Sequence, residues 1–306
     1  MTIASRLPAL PDGFVLEAGA RGVLACRPDD VEALAAAGFS PDGLRRGADG
    51  NELQDAEESG KEPLGRLEVG GRACLARRFR HGGLARVLTG RRFRDPARPF
   101  LELALSERLA ALGVPTPRVV AARAVSVRPY GFELTLVTER VPGTVDVGRL
   151  LGDVRRGSAG RARLRRALAF SGRLVRALHD AGFVHADLQP ANVLVAEDEG
   201  DDRAWILDLD RSRFEGDGPL EPAARARNLG RLWRHVRRRE RDYGAVLTGA
   251  DHARFLRAYG ARGSALRDLA AAIDRAADAR GGLHRVGWWL ERRFGHGHDA
   301  RARGRE

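Results

Sequence analysis

The chain has 306 residues, 43% of them hydrophobic, enough to bury the core of one bilobal domain or of two small ones. A formal charge of +12 favours anionic partners such as nucleotides, phosphorylated glycolipids or an acidic membrane surface. Cys26 and Cys74 are the only cysteines, which excludes a disulfide framework or a zinc–thiolate cluster and suits a reducing cytosol.

The basic residues are nearly all arginine, with Lys61 the single lysine, so arginine at any one position says little by its identity. No aromatic-interleaved basic motif of an RNA-binding module is present, and nucleic acid is not an expected partner. The N-terminal stretch lacks a continuous apolar h-region and reads as no signal peptide. No run approaches the roughly 20 apolar residues of a membrane span.

In chain order, Phe14–Leu16 and Gly22–Cys26 read as short strands and Pro28–Gly38 as a helix, with Asp29 or Asp30 as its cap and Gly38 as its end. Residues 46–63 are polar and Gly-rich, with an acidic cluster at Glu52, Asp55, Glu57 and Glu58, and read as a loop. Leu64–Val69 and Ala73–Phe79 flank Gly70-Gly71 and predict a hairpin with a two-glycine turn. Leu101, Leu105, Leu109 and Leu112 recur at helical spacing, so 98–112 is an amphipathic helix ended by Gly113. Arg118–Val127 and Phe132–Glu139 predict a second hairpin, and Val141-Pro142-Gly143 is the candidate hinge. Helices are expected over 161–181, 221–241, 250–259, 264–279 and within Leu283–Phe294. The organisation expected is an α+β, bilobal, protein-kinase-like fold. It has a β-rich lobe over 1–141, a helical lobe over 142–298, and a disordered basic tail at 299–306.

The chemistry concentrates in Phe183–Arg213. His185, Asp187 and Asn192 read H-A-D-L-Q-P-A-N, and two apolar runs, Asn192–Ala196 and Ala204–Leu209, predict a hairpin that brings Asp208 to its end. Phosphoryl transfer from ATP asks for a carboxylate to accept the acceptor's hydroxyl proton and for oxygen ligands that hold Mg²⁺ on the phosphates. Asp187 suits the first task, and Asn192 and Asp208 the second, at the spacing of a kinase catalytic loop. His185 is counted with Asp187 among the catalytic residues, as a brace of that loop by hydrogen bonding rather than as a free-standing acid or base. Asp210 stands where kinases have glycine, as a metal ligand or a turn cap. Arg77, on the strand after the Gly-Gly turn, takes the place of the phosphate-contacting lysine, and Glu102 that of its helix partner. Arg78 and Arg80 are its rivals, because a one-residue slip turns the strand over. The stretch Gly60–Gly65 is the best candidate to cover the phosphates, through Lys61 and Gly65, or is simply a loop. His284, His296 and His298 lack the companions of a metal site, and Trp288-Trp289 fits helix packing better than a membrane contact.

Taken together, LARRFRHGG (75–83), RPFLEL (98–103), GVPTP (113–117), HDAGFVHADLQPANVLV (179–195), ILDLDR (206–211) and NLGRLWR (228–234) resemble the lipopolysaccharide kinase family. These are the Kdo and heptose kinases of the Gram-negative core oligosaccharide, and the arginine-plus-Gly-Gly strand is closer to the Kdo branch. The resemblance spans about 64–240. It implies ATP with Mg²⁺ and phosphorylation of a sugar hydroxyl on a lipid-linked, Kdo-lipid A-like acceptor at the cytoplasmic face of the inner membrane. By position it implies Asp187 as base, Asn192 and Asp208 as metal ligands, and Arg77 with Glu102 as the phosphate-positioning pair. The rival readings are a RIO-like or aminoglycoside-type kinase with another acceptor, and a pseudokinase scaffold holding an anionic partner.

Overall fold

The computed structural model describes residues 3–44, 55–56, 64–80, 92–198, 200 and 202–278. Lys61, the Gly82-Gly83 pair and the expected helix within Leu283–Phe294 lie outside them, as do the C-terminal histidines, the tryptophan pair and the basic tail.

The first half builds one antiparallel sheet. β1 (Val15–Ala18) and β2 (Gly22–Cys26) form a hairpin, followed by α1 (Val31–Ala36) and the two-residue strands β3 (Phe39–Ser40), β4 (Gly43–Leu44) and β5 (Asp55–Ala56). β6 (Leu64–Val69) and β7 (Arg72–Arg78) follow, then α2 (Arg98–Ala111), β8 (Val119–Ser126) and β9 (Phe132–Glu139). Seven of these strands join in the order β1-β2-β8-β9-β7-β6-β5. Gly70 and Gly71 have φ of 56° and 75°, the left-handed pair that a two-residue hairpin turn requires, so Val69 pairs with Arg72 as the sequence predicts. Alternation along the strands feeds two cores. Phe100 and Leu103 of α2 pack on Ala122, Leu134 and Leu136, while Leu34 and Phe39 cover Cys26, Val120 and Val137 on the opposite face.

Two expectations for this half are corrected. The stretch 28–38 is not one capped helix. It is a 3₁₀ turn at Pro28–Asp30 and then α1, and neither aspartate caps with its side chain. Asp30 is instead paired with Arg72, which outbids a backbone N–H for the carboxylate. The first strand runs over Val15–Ala18 rather than Phe14–Leu16, because β1 is in register with β2 from Val15 opposite Cys26.

The chain leaves the large sheet at Glu139 and enters a small one at Thr144. β10 (Thr144–Asp146), β12 (Val193–Ala196) and β13 (Ala204–Ile206) form that sheet, and β11 (Phe183–Val184) pairs with β14 (Arg213–Phe214). Helices α3 (Val147–Arg156), α4 (Arg161–Asp180), α5 (Pro222–Tyr243), α6 (Gly249–Ala258) and α7 (Gly263–Asp278) complete an α+β chain of two lobes. α4 packs on α6 and α5 on α7 around Leu164, Val175, Leu178, Leu229 and Ile273. β10 and α3 were not expected from the sequence, although the signal was present: Asp146 accepts from the Arg149 N–H at 2.8 Å as the N-cap, and Gly157 ends the helix at φ 77°. Among the described residues no helix is long and apolar enough to cross a membrane.

Candidate active site

α4 leads, by a buried face, into the loop that carries His185, Asp187 and Asn192, and β11 begins that loop. Phe183 is fully buried and meets Phe214 edge to face at 5.0 Å, fixing the β11–β14 pair under the loop. His185 follows, also fully buried. Its Nδ1 accepts the Asp187 N–H at 3.1 Å, so Nε2 carries the proton and donates to the Leu207 carbonyl at 2.9 Å. Burial holds the imidazole below its ordinary pKa, which keeps it neutral and able to serve both bonds. His185 therefore ties the loop that carries Asp187 to the segment that carries Asp208.

The Asp187 carboxylate is half exposed, its side chain 45% accessible. Gln189 donates to its Oδ2 at 2.6 Å, and His235 Nε2 lies 3.6 Å from Oδ1. The Asn192 amide nitrogen donates to the Asp187 main-chain oxygen at 2.8 Å, which leaves the amide oxygen for another partner. The Leu207 N–H donates to the Asn192 carbonyl at 2.9 Å, so the strand leading to Asp208 is stitched to the same loop.

From the large sheet, Arg77 on β7 pairs with Glu102 of α2 and donates to Asp208 Oδ1 at 3.0 Å. Burial alone would lower the arginine's pKa, but Glu102, Asp208 and Asp210 outweigh it and hold it above its ordinary value. Glu102 is 4% exposed, and burial pushes its carboxyl up to about 7 against the pull of Arg77. Its second oxygen accepts the Leu209 N–H at 3.1 Å, which binds α2 to the loop. Of the three arginines weighed from the sequence, Arg77 is the one that meets Glu102 and Asp208. Arg78 is exposed on the other face of the strand, and Arg80 lies beyond its end.

Asp208, Asn192 and nucleotide phosphates would be a hard-oxygen donor set of the kind Mg²⁺ takes, with one carboxylate, one amide oxygen and substrate supplying the rest. Among the described residues no group of three or more His, Cys, Asp or Glu forms a metal cage, and a site completed by phosphates needs none. Asp210 has both oxygens committed to Arg98, with Nε to Oδ1 at 3.0 Å. Gly65 is buried in β6, between Ala76 of β7 and Asp55 of β5. The connection 57–63, which holds Lys61, joins an antiparallel pair but lies outside the described residues.

Arg98, Gln189, Asn228 and His235 were not singled out individually from the sequence. Three of the relevant residues share one face of α5 at helical spacing: Asn228, Arg231 and His235. Asn228 anchors the His185 backbone, Arg231 places its charge near the His185 ring, and His235 flanks Asp187. Arg234, on the same helix, donates to the Ala276 carbonyl of α7 at 3.3 Å.

Comparison with known proteins followed from this geometry. A 3-deoxy-D-manno-octulosonic acid kinase from Haemophilus influenzae is 30% identical over 168 residues, covering 53% of this chain and 64% of that one. The Actinobacillus succinogenes enzyme of the same name is 27% identical over 197 residues, covering 63% of this chain and 78% of that one. WaaP, solved in complex with acyl carrier protein, is 27% identical with a TM-score of 0.48, covering 76% of this chain and 90% of that one. The model of the lipopolysaccharide kinase (Kdo/WaaP) family matches residues 56–259, a stretch that holds every site residue described above, and the chain belongs to that family.

Proposed function

We propose that this chain is an ATP-dependent kinase that transfers the γ-phosphate to a sugar hydroxyl of the lipopolysaccharide inner core, on a Kdo-lipid A-like acceptor. The observation that carries the reading is that Asp187 bonded to Asn192, and Arg77 bonded to both Glu102 and Asp208, meet through Leu207, whose N–H donates to the Asn192 carbonyl at 2.9 Å. Family membership supports the acceptor class.

Asp187 takes the hydroxyl proton. A sugar hydroxyl is a poor nucleophile at neutral pH and needs a carboxylate within about 2.6–3.2 Å as the bond to phosphorus forms. Gln189 and Asn192 turn that carboxylate toward the acceptor side, and His185 keeps the loop from drifting. Arg77 contacts the phosphates and Glu102 orients it. A guanidinium can do this bidentately, which a lysine cannot. Asn192 and Asp208 would hold Mg²⁺, which would supply positive charge against the charge that develops on the phosphates during transfer. Arg77 donates to Asp208 Oδ1 at 3.0 Å, so a metal on Asp208 would share that carboxylate with the guanidinium.

A charge of +12 supports a peripheral position on an anionic membrane surface, at the cytoplasmic face of the inner membrane. Each Lys or Arg near such a surface adds about 1 kcal/mol, and salt screens the attraction. Co-sedimentation with liposomes should rise with anionic lipid and fall with salt. Equal binding to neutral vesicles would remove this part of the reading.

The test of the activity is transfer from labelled ATP to Kdo-lipid A by the wild type. The Asp187→Ala variant should still bind ATP and lose transfer. Peptides and aminoglycosides should be poor acceptors. Vigorous phosphorylation of either, with none of the lipid-linked sugar, would refute the acceptor class.

A further inference from the structure

We propose that Arg98 is a positioning residue for Asp208, acting through Asp210, so that the second carboxylate of the Asp-Leu-Asp stretch is an anchor between the lobes and not a metal ligand. The inference rests on the kinase reading above, with Asp208 as the metal carboxylate.

The backbone of this stretch does not hold its own shape. Asp208 and Arg211 have φ of 57° and 59°, a left-handed conformation that costs a side-chain-bearing residue and persists only where surroundings impose it. The surroundings are on α2. Arg98 in its first turn meets Asp210 in a side-on fork: Nε donates to Oδ1 at 3.0 Å and the terminal nitrogen pairs with Oδ2. One turn further along the helix, Glu102 accepts the Leu209 N–H at 3.1 Å. The two residues four apart thus grip neighbouring points of the loop, one by its side chain and one by its backbone. Arg77 reaches the third point, Asp208 itself.

Arg98 is held in place before it meets its partner. Its guanidinium lies 4.8 Å from the Phe93 ring centroid and 5.4 Å from that of Phe79, and these rings meet edge to face at 6.4 Å. The pair is mostly buried, with side-chain exposures of 17% for Arg98 and 20% for Asp210. A carboxylate whose two oxygens face a fixed fork of donors has little left for a cation. Glycine at 210 would leave the turn without this tie.

The experiment compares Mn²⁺ binding in the presence of ADP, followed by electron paramagnetic resonance, in the 306-residue wild-type chain, Arg98→Ala, Asp210→Ala, the double variant, and Asp208→Asn. Residues that orient a metal ligand typically cost about 10–100-fold in metal affinity when removed. Arg98→Ala and Asp210→Ala should each weaken Mn²⁺ within that range and by similar factors. The double variant should be no weaker than the weaker single, because both break one tie. Arg98→Lys, which keeps the charge and loses the fork, should fall between wild type and Arg98→Ala, and it substitutes for that variant if the alanine protein does not fold. Asp208→Asn should lose binding most.

If Asp210 is a metal ligand, Asp210→Ala will match Asp208→Asn while Arg98→Ala keeps or tightens binding, and the proposal falls. If the variants melt earlier but bind Mn²⁺ as the wild type does, the pair is only structural and the positioning role falls. A wild type that binds no Mn²⁺ with ADP would overturn the kinase reading itself, and this proposal with it.

Discussion

Asn228→Ala should unseat the catalytic loop from its buried side without touching a reacting group. Asn228 is 3% exposed on α5, and its amide serves three partners. Nδ2 donates to the His185 carbonyl at 2.8 Å, while Oδ1 accepts the His185 N–H at 3.3 Å and the His179 ring at 3.1 Å. His179 and His185 are fully buried, so alanine would leave two donors and one acceptor away from bulk water. Each such group costs about 1–3 kcal/mol, or about 3–9 kcal/mol for three. A water entering the space of the lost amide would relieve part of this, which puts the expected loss near 3–5 kcal/mol, against about 5–15 kcal/mol for a typical domain. Urea unfolding, followed by far-ultraviolet circular dichroism, should show a lower midpoint at an unchanged slope. Turnover should drop because His185 no longer has a fixed backbone from which to hold Asp187. A loss below about 1 kcal/mol with normal turnover would mean that the loop is held by its own short-range bonds, and the reasoning would be refuted.

Arg77→Met should cost about 3–5 kcal/mol by leaving Glu102 buried without its cation, and should raise the KM for ATP or lower kcat, whereas Arg78→Met on the exposed face should change stability by about 0.5 kcal/mol or less. Equal effects in urea unfolding and kinetics would put the strand in the wrong register. Burial holds His179 at about 4 against 6.5 for the free group, so the unfolded chain binds the extra proton and stability should fall as pH drops from about 6.5 toward 4. The slope approaches about 1.4 kcal/mol per pH unit, and a His179→Gln protein, compared with wild type in unfolding titrations, should lack it. Glu102 works the other way: its raised pKa gives the native state the extra proton, so stability should fall as pH rises from about 4.5 to 7, and Glu102→Gln should remove that trend. Conversion of Asn228 to Asp places a carboxylate beside His179 and raises its pKa, so its stability deficit relative to wild type should narrow between pH 7 and 5; a constant deficit would contradict the contact.

Local chemistry made part of this protein readable from its residues. Gly70-Gly71 could only be a tight turn with left-handed backbone, and that turn sets the register that sends Arg77 and Arg78 to opposite faces. The spacing of His185, Asp187 and Asn192 describes bonds that close within a few residues, so the loop could be drawn before its surroundings were known. The hairpin that follows was expected to run to Leu209. It stops at Ile206, because Leu207 turns to bond Asn192 and Asp208 adopts a left-handed backbone.

The partners of charged groups were a different matter. With 53 lysines and arginines against 41 acids, each carboxylate has more candidates than sequence can rank, and an ion pair leaves no periodic trace. Composition and short-range pattern made the α+β organisation and the Asp187–Asn192 loop readable, and put Asp187, Asn192 and Asp208 forward as candidates. Only the tertiary structure decided that Asp210 belongs to Arg98, 112 residues away, that Asn228 on α5 holds His185, and that His235 stands beside Asp187. Spacing within one element is set by backbone geometry, which each residue carries with it. Contacts between elements are set by which faces pack to bury the core, and that is a property of the whole chain.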